Sequence, residues 1–160
     1  MSPLFQDVLD TFAKAGWSCR QVEGREVVES EFEAHHGKVF LHLQTFPEIG
    51  AVSVVAEAEG NFSPAQISSS AELLMRANLQ LSVGAFELDW DTGRVTFRAS
   101  NVFADRATPD LIASLVRTTV VEMDRLTPHL AILRRHEGRY RDIPGLLARE
   151  DLLPGDEKEV

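Results

Sequence analysis

The chain has one cysteine, Cys19, in 160 residues, so no disulfide can form within it. A single thiol fits a reducing compartment. No apolar run approaches the roughly 18 residues that mark a membrane span. The opening stretch MSPLFQDVLDTFAKAGW lacks a basic segment followed by an unbroken apolar one, so it does not read as a secretory signal. Cytoplasmic is therefore the expected location, without membrane attachment. Positive charge is also scarce: 16 Lys and Arg stand against 25 Asp and Glu, a formal net charge of −9. Phosphate backbones are recruited by Lys and Arg, so direct nucleic-acid binding is not expected. Only Arg134, Arg135, Arg139 and Arg141 form a basic patch. Glycine-rich phosphate loops, a nucleophile elbow and paired-cysteine motifs are missing too.

What remains has the composition of a globular domain, 44% hydrophobic and 26% charged, at a length that fits one core. Three segments open with a hydroxyl residue and a proline: Ser2-Pro3, Ser63-Pro64 and Thr108-Pro109. The hydroxyl accepts a bond from a first-turn amide, and proline at the next position lacks the donor that would be orphaned there. Each predicts a helix start, and Gln66 three residues after Ser63 suggests a capping box. Leu4, Phe5, Val8, Leu9 and Phe12 form the apolar stripe of the first helix, which Gly16 ends. Ile67, Ala71, Leu74, Met75 and Asn78 give the second a weaker stripe. Ile112, Leu115, Val116, Thr119, Val120, Met123 and Leu126 give the third a long one. Pro128 then either kinks this helix or opens another.

Between helices the period switches to two. In 26–34, Val28 and Phe32 oppose Glu29, Glu31 and Glu33. After a turn at His36-Gly37, Val39, Leu41 and Leu43 oppose Phe40, His42 and Gln44. Val52, Val54 and Ala56 share a face in 51–58, and a shorter strand is suggested at 18–22. Past the second helix, Phe86, Leu88 and Trp90 alternate with Glu87 and Asp89. A turn at Asp91-Thr92-Gly93 leads to Val95, Phe97 and Ala99, with Arg94, Thr96 and Arg98 outward. The pattern predicts an α+β domain with an antiparallel sheet of about five strands flanked by helices, in the order α-βββ-α-ββ-α. The domain is expected over 1–137. A tail over 138–160 is partly helical near 143–149 and disordered at its GDEKEV end.

Groups able to do chemistry are sparse. Asp89 to Gly93 starts like a calcium loop, but its glycine comes one position early and position twelve is Ser100, so a hairpin turn is the better reading. His35 and His36 point to opposite faces if extended, and His42 shares a face with Phe40 and Phe46. They do not add up to the three or four ligands of a zinc site. Cys19 and Ser68 to Ser70 have no nucleophile setting. No catalytic residue, cofactor or metal is expected. The recognition surface is expected instead on Phe40, His42 and Phe46, with Glu29, Glu31 and Glu33 forming a negative stripe.

Residues 76–89, RANLQLSVGAFELD, followed by Gly93 to Arg98, GRVTFR, resemble the central signature of the YbjN family of bacterial proteins. Met123 to Pro128, MDRLTP, is similar to the motif that family carries near the end of its last long helix. The resemblance covers about 4–135. It implies a fold like that of type III secretion chaperones, a homodimer, and a regulatory or chaperone-like role without enzymatic activity. Asn78, Gly84, Gly93 and Pro128 then have structural roles. The reading is a non-enzymatic protein that binds a segment of a partner protein. The alternative is a ligand-sensing regulator whose pocket, between sheet and helix, would be lined by Asp124, Arg125, His129 and Arg98.

Overall fold

The computed structural model describes residues 1–103, 106–142 and 145–148. Two of the hydroxyl-proline pairs start helices as local chemistry dictates. In α1 (Pro3–Ala15) the Ser2 hydroxyl accepts the Phe5 amide at 3.1 Å, and Gly16 closes the helix at φ 71°. In α3 (Pro109–Arg135) the Thr108 hydroxyl accepts the Leu111 amide at 3.4 Å. The third pair opens a short 3-10 turn, Pro64–Gln66, that leads into α2 (Ile67–Asn78). No capping box forms there. The Gln66 amide instead reaches the last turn of α3, donating to the carbonyls of Leu133 and Arg134 at 3.4 and 2.8 Å. It thus satisfies acceptors that every helix C-terminus leaves open.

Six strands form one antiparallel sheet: β1 (Arg20–Gln21), β2 (Val27–Glu33), β3 (Lys38–Phe46), β4 (Ala51–Glu57), β5 (Ala85–Leu88) and β6 (Val95–Val102). Their order in space is β1-β2-β3-β4-β6-β5. The element order is therefore α-ββββ-α-ββ-α, the added strand being the short one suggested at 18–22. The β5–β6 hairpin docks by its second strand, pairing Val54 with Ala99 and Ala56 with Phe97. Its turn leaves no room for a side chain at Gly93, where a Cβ would lie 2.0 Å from the Phe62 carbonyl oxygen and φ is 71°. Asp89 accepts the amides of Asp91 and Thr92, which makes this a turn rather than an ion loop. β5 stops at Leu88, so Trp90 leaves the strand pattern and is exposed.

The helices pack on one face of this sheet, α3 across β4 and β6, α1 against α3, and α2 beside β5. Val28, Leu43, Val52, Val54, Phe97, Ile112, Val116 and Val120 are all fully buried there. α2 presents a face rotated from its sequence stripe. Met75 is 68% exposed, while Ser69 and Ser70 are buried. Their hydroxyls donate to the Gly138 carbonyl at 3.0 Å and the Ile67 carbonyl at 2.8 Å, so burial leaves neither unpaired. α3 runs through Pro128 without breaking. On either side of it, the Thr127 hydroxyl donates to the Met123 carbonyl at 2.8 Å, and His129 Nδ1 meets the Arg125 carbonyl at 3.1 Å. Past 137 the chain still contributes to the core: short 3-10 turns at Tyr140–Asp142 and Leu146–Ala148 bury Tyr140 and Leu146. The expectation for the GDEKEV end lies outside the described residues.

Two side chains tie distant elements together. Asp124, buried on α3, accepts the amides of His35 and His36 at 3.2 and 2.6 Å and so holds the β2–β3 turn. Asp7 on α1 is bound by Arg106 at 2.8 and 2.5 Å and by the Ala107 amide at 3.1 Å. The Arg106 hydrogen bond, chiefly, keeps the Asp7 carboxyl below its ordinary pKa against the opposing effect of burial.

Candidate partner-binding face

Strand parity sends alternate residues to the face away from the helices, and the antiparallel register arranges them in rows. One row crosses the sheet as Glu31, Phe40, Glu57, Thr96 and Glu87. The next is Arg20, Glu29, His42, Val55, Arg98 and Ala85. Val27, Gln44, Ser53 and Ser100 form a third, and Phe46, Ala51 and Val102 a fourth. All six residues expected at a recognition surface thus share this face. Phe40 is 49% and Val102 67% exposed, and Phe46 is half-buried.

Charge on this face is arranged differently from the expectation. Glu29, Glu31 and Glu33 do not form a free negative stripe. Glu29 pairs with Arg20 across β1–β2, while Lys38 reaches Glu31 at 2.6 Å and Glu33 at 3.7 Å. Further along, Arg94 approaches Glu57 at 3.5 Å, and Arg98 binds Glu87 at 2.6 Å and the Ser53 hydroxyl at 3.3 Å. Cross-strand neighbours of opposite sign lie close enough to neutralise one another. His42 stands among these groups, half-buried. Its burial, assisted by the positive charges of Arg98 and Arg25, pushes its pKa below the ordinary histidine value, with Glu57 and Glu29 opposing. A hollow of about 190 Å³ opens beside it, lined by Glu29, Phe40, His42 and Glu57.

Val55, Ser53, Glu57, Arg98, Ser100 and Val102 belong to the same face and were not expected there as a group. The outward parity of Arg98 was readable; the pairing of β4 with β6 that sets it beside His42 was not. The alternative ligand pocket is dispersed by the same topology. Arg98 is on the open face, and Asp124 is occupied with the β2–β3 turn. Arg125 and His129 line a separate hollow of about 80 Å³ between α2, β5 and α3. The histidines also part company, His36 lying beside Asp124 near α3 and His42 on the open face. Among the described residues no three His, Cys, Asp or Glu side chains gather where they could hold a metal. Cys19 is exposed, and such desolvation as it feels raises its thiol pKa, the opposite of nucleophile activation.

β5 carries a further device. The Asn78 side chain accepts the Phe86 amide at 2.7 Å and donates to the Phe86 carbonyl at 3.0 Å. Both backbone groups of that edge residue are thereby occupied. No described helix is long and apolar enough to cross a membrane.

An antiparallel sheet with helices on one side and a mixed apolar and polar surface on the other defines a two-layer α+β protein. More narrowly, the chain belongs to the YbjN family, described as "Putative bacterial sensory transduction regulator", which it matches over residues 6–131. The description is of a regulator family, not a catalytic one. Two solved structures share the fold. YbjN from E. coli, described as a putative transcription regulator, superposes with a TM-score of 0.61 at 10% identity, over 81% of this chain and 92% of that one. A chain of the ExsC–ExsE complex superposes with a TM-score of 0.53 at 14% identity, over 78% and 90%. No curated protein sequence matches the chain.

Proposed function

We propose that this is a non-enzymatic, chaperone-like or regulatory protein of the bacterial cytoplasm. It acts as a homodimer and holds a segment of a partner protein on the open face of its sheet. The observation that carries this reading is the open face itself. Phe40, Phe46 and Val102 present apolar surface among charges that are largely paired, Lys38 with Glu31 and Arg98 with Glu87, so a partner can cover the face without stranding those charges. A solved relative of the same fold was crystallised as the ExsC–ExsE complex, which supports protein partners as the ligand class. The working unit is residues 1–137 together with the Gly138, Tyr140 and Leu146 that pack onto it. Dimerisation is supported by apolar side chains exposed at the end of α2 and in the loop after it, where Met75, Leu79 and Val83 are at least half exposed. Strand pairing through the middle of β5 is disfavoured, because Asn78 already occupies Phe86.

The test is a photo-crosslinkable amino acid placed in the full chain at position 40, 102 or 111, with crosslinking carried out in cells. Leu111 is 49% exposed at the start of α3 and serves as the control. Positions 40 and 102 are expected to yield the same protein adduct and position 111 not to. Equal adducts from all three, or none from the face, would overturn the reading. Light scattering of the purified chain is expected to give twice the monomer mass, and Leu79→Asp to reduce it to the monomer's.

A further inference from the structure

The hollow beside His42 has a lining that selects for charge. Glu29 and Glu57 stand on the two strands that flank β3, Glu57 beside the half-exposed Phe40 and Glu29 opposite His42, two residues along β3. The cations that pair with these carboxylates, Arg20 and Arg94, do not line the hollow, and the Arg94 contact is long at 3.5 Å. An ionised carboxylate offers about four lone-pair sites, so each keeps acceptor capacity toward the hollow. A cation entering there would meet two negative groups and an aromatic face on a molecule of net charge −9. The fourth row, Phe46 with Ala51 and Val102, lies six residues along β3 from Phe40. At about 3.3 Å per residue that is roughly 20 Å.

Resting on the open face as the partner site, we propose that the bound segment is extended along β3 and carries a lysine or arginine. Its alkyl stem lies on the Phe40 ring and its charged head between Glu29 and Glu57. An apolar side chain about six residues away covers Phe46 and Val102. Acidic, anionic or purely apolar segments do not satisfy this pair of subsites.

The experiment selects displayed random peptides of about 12 residues on the immobilised full-length protein, then measures one synthetic winner by titration. The expected winners pair a basic residue with an apolar one about six positions away. Affinity is expected to fall a few-fold in Phe40→Ala and a few-fold in the double variant Glu29→Gln, Glu57→Gln, and about tenfold when the three are combined, as an exposed cation–π contact plus exposed ion pairs suggests. Replacing the peptide's basic residue by norleucine should remove the effect of the double variant. Binding should also weaken as pH falls below the ordinary histidine value of 6.5, because His42, whose pKa lies lower still, becomes protonated there and, faced by Glu29, Glu57, Arg25 and Arg98, adds a like charge beside the guest. His42→Gln should flatten that dependence. Winners that lose affinity in Val102→Asp yet lack a basic residue would overturn this inference and leave the open face as the partner site. Winners indifferent to every face variant would overturn both. If Phe40→Asp instead turns a dimer into a monomer, a second copy covers the face and the inference falls.

Discussion

β4 is buried on both faces, by different means. Toward the helices, Val52, Val54 and Ala56 are sealed under α3 and the core. On the other side, Ala51, Ser53 and Val55 are 7%, 5% and 2% exposed although no described helix lies over them. Their cross-strand neighbours on this face are the side chains of Phe46 and Val102 beside Ala51, Gln44 and Ser100 beside Ser53, and His42 and Arg98 beside Val55, and Arg98 reaches over to the Ser53 hydroxyl. Burial under a helix requires the fold to open before it is lost. Cover by jointed side chains can be moved aside by a rotamer change, which takes far less than unfolding. The first kind of burial stabilises the molecule, and the second suits a surface that exchanges one cover for another.

Truncations on the two faces should separate these roles. Phe97→Ala, on the covered face, is expected to cost about 3–5 kcal/mol in denaturant unfolding, since it removes a fully buried ring from the core. Phe40→Ala, on the open face, should stay within about 1 kcal/mol while impairing partner binding. Equal destabilisation by both would erase the distinction. Asp124→Ala comes next. It strands two amides of the β2–β3 turn on the covered side and is expected to cost about 2–3 kcal/mol, with hydrogen exchange rising at His35 and His36. The gentlest test is acid. The Asp7 carboxyl titrates below its unfolded value of 3.8, so its contribution is complete above that pH and is lost as pH falls through the lowered folded value. Asp7→Asn should therefore narrow its stability gap to the parent protein below about pH 4. A constant gap in thermal melts across that range would show that Asp7 acts through packing alone.

Where local chemistry decides the structure, the sequence alone was enough. Ser2-Pro3 and Thr108-Pro109 mark helix starts because the cap lies within three residues, and the strand alternation put Phe40, His42 and Phe46 together. Where a distant acceptor decides, it was not. Ser69 can be buried because the Gly138 carbonyl, 69 residues on, accepts a hydrogen bond from its hydroxyl. Gln66 still accepts the Ser63 hydroxyl but turns its amide nitrogen to the end of α3. The glutamates of β2 read as a free acidic stripe until register set Arg20 and Lys38 beside them. The other half of the open face became visible only when β4 paired with β6 rather than with β5, a choice fixed by packing across the whole sheet and by no local signal.

The Asn78 amide has a consequence for how copies of this protein can accumulate. Endless strand-on-strand ribbons require two open margins on every unit, one to receive and one to donate. Here Asn78 fills the centre of β5 at one margin, and β1 at the other pairs over two residues only. Ribbon growth that docks one copy on the middle of another's β5 is thereby disfavoured in a concentrated solution.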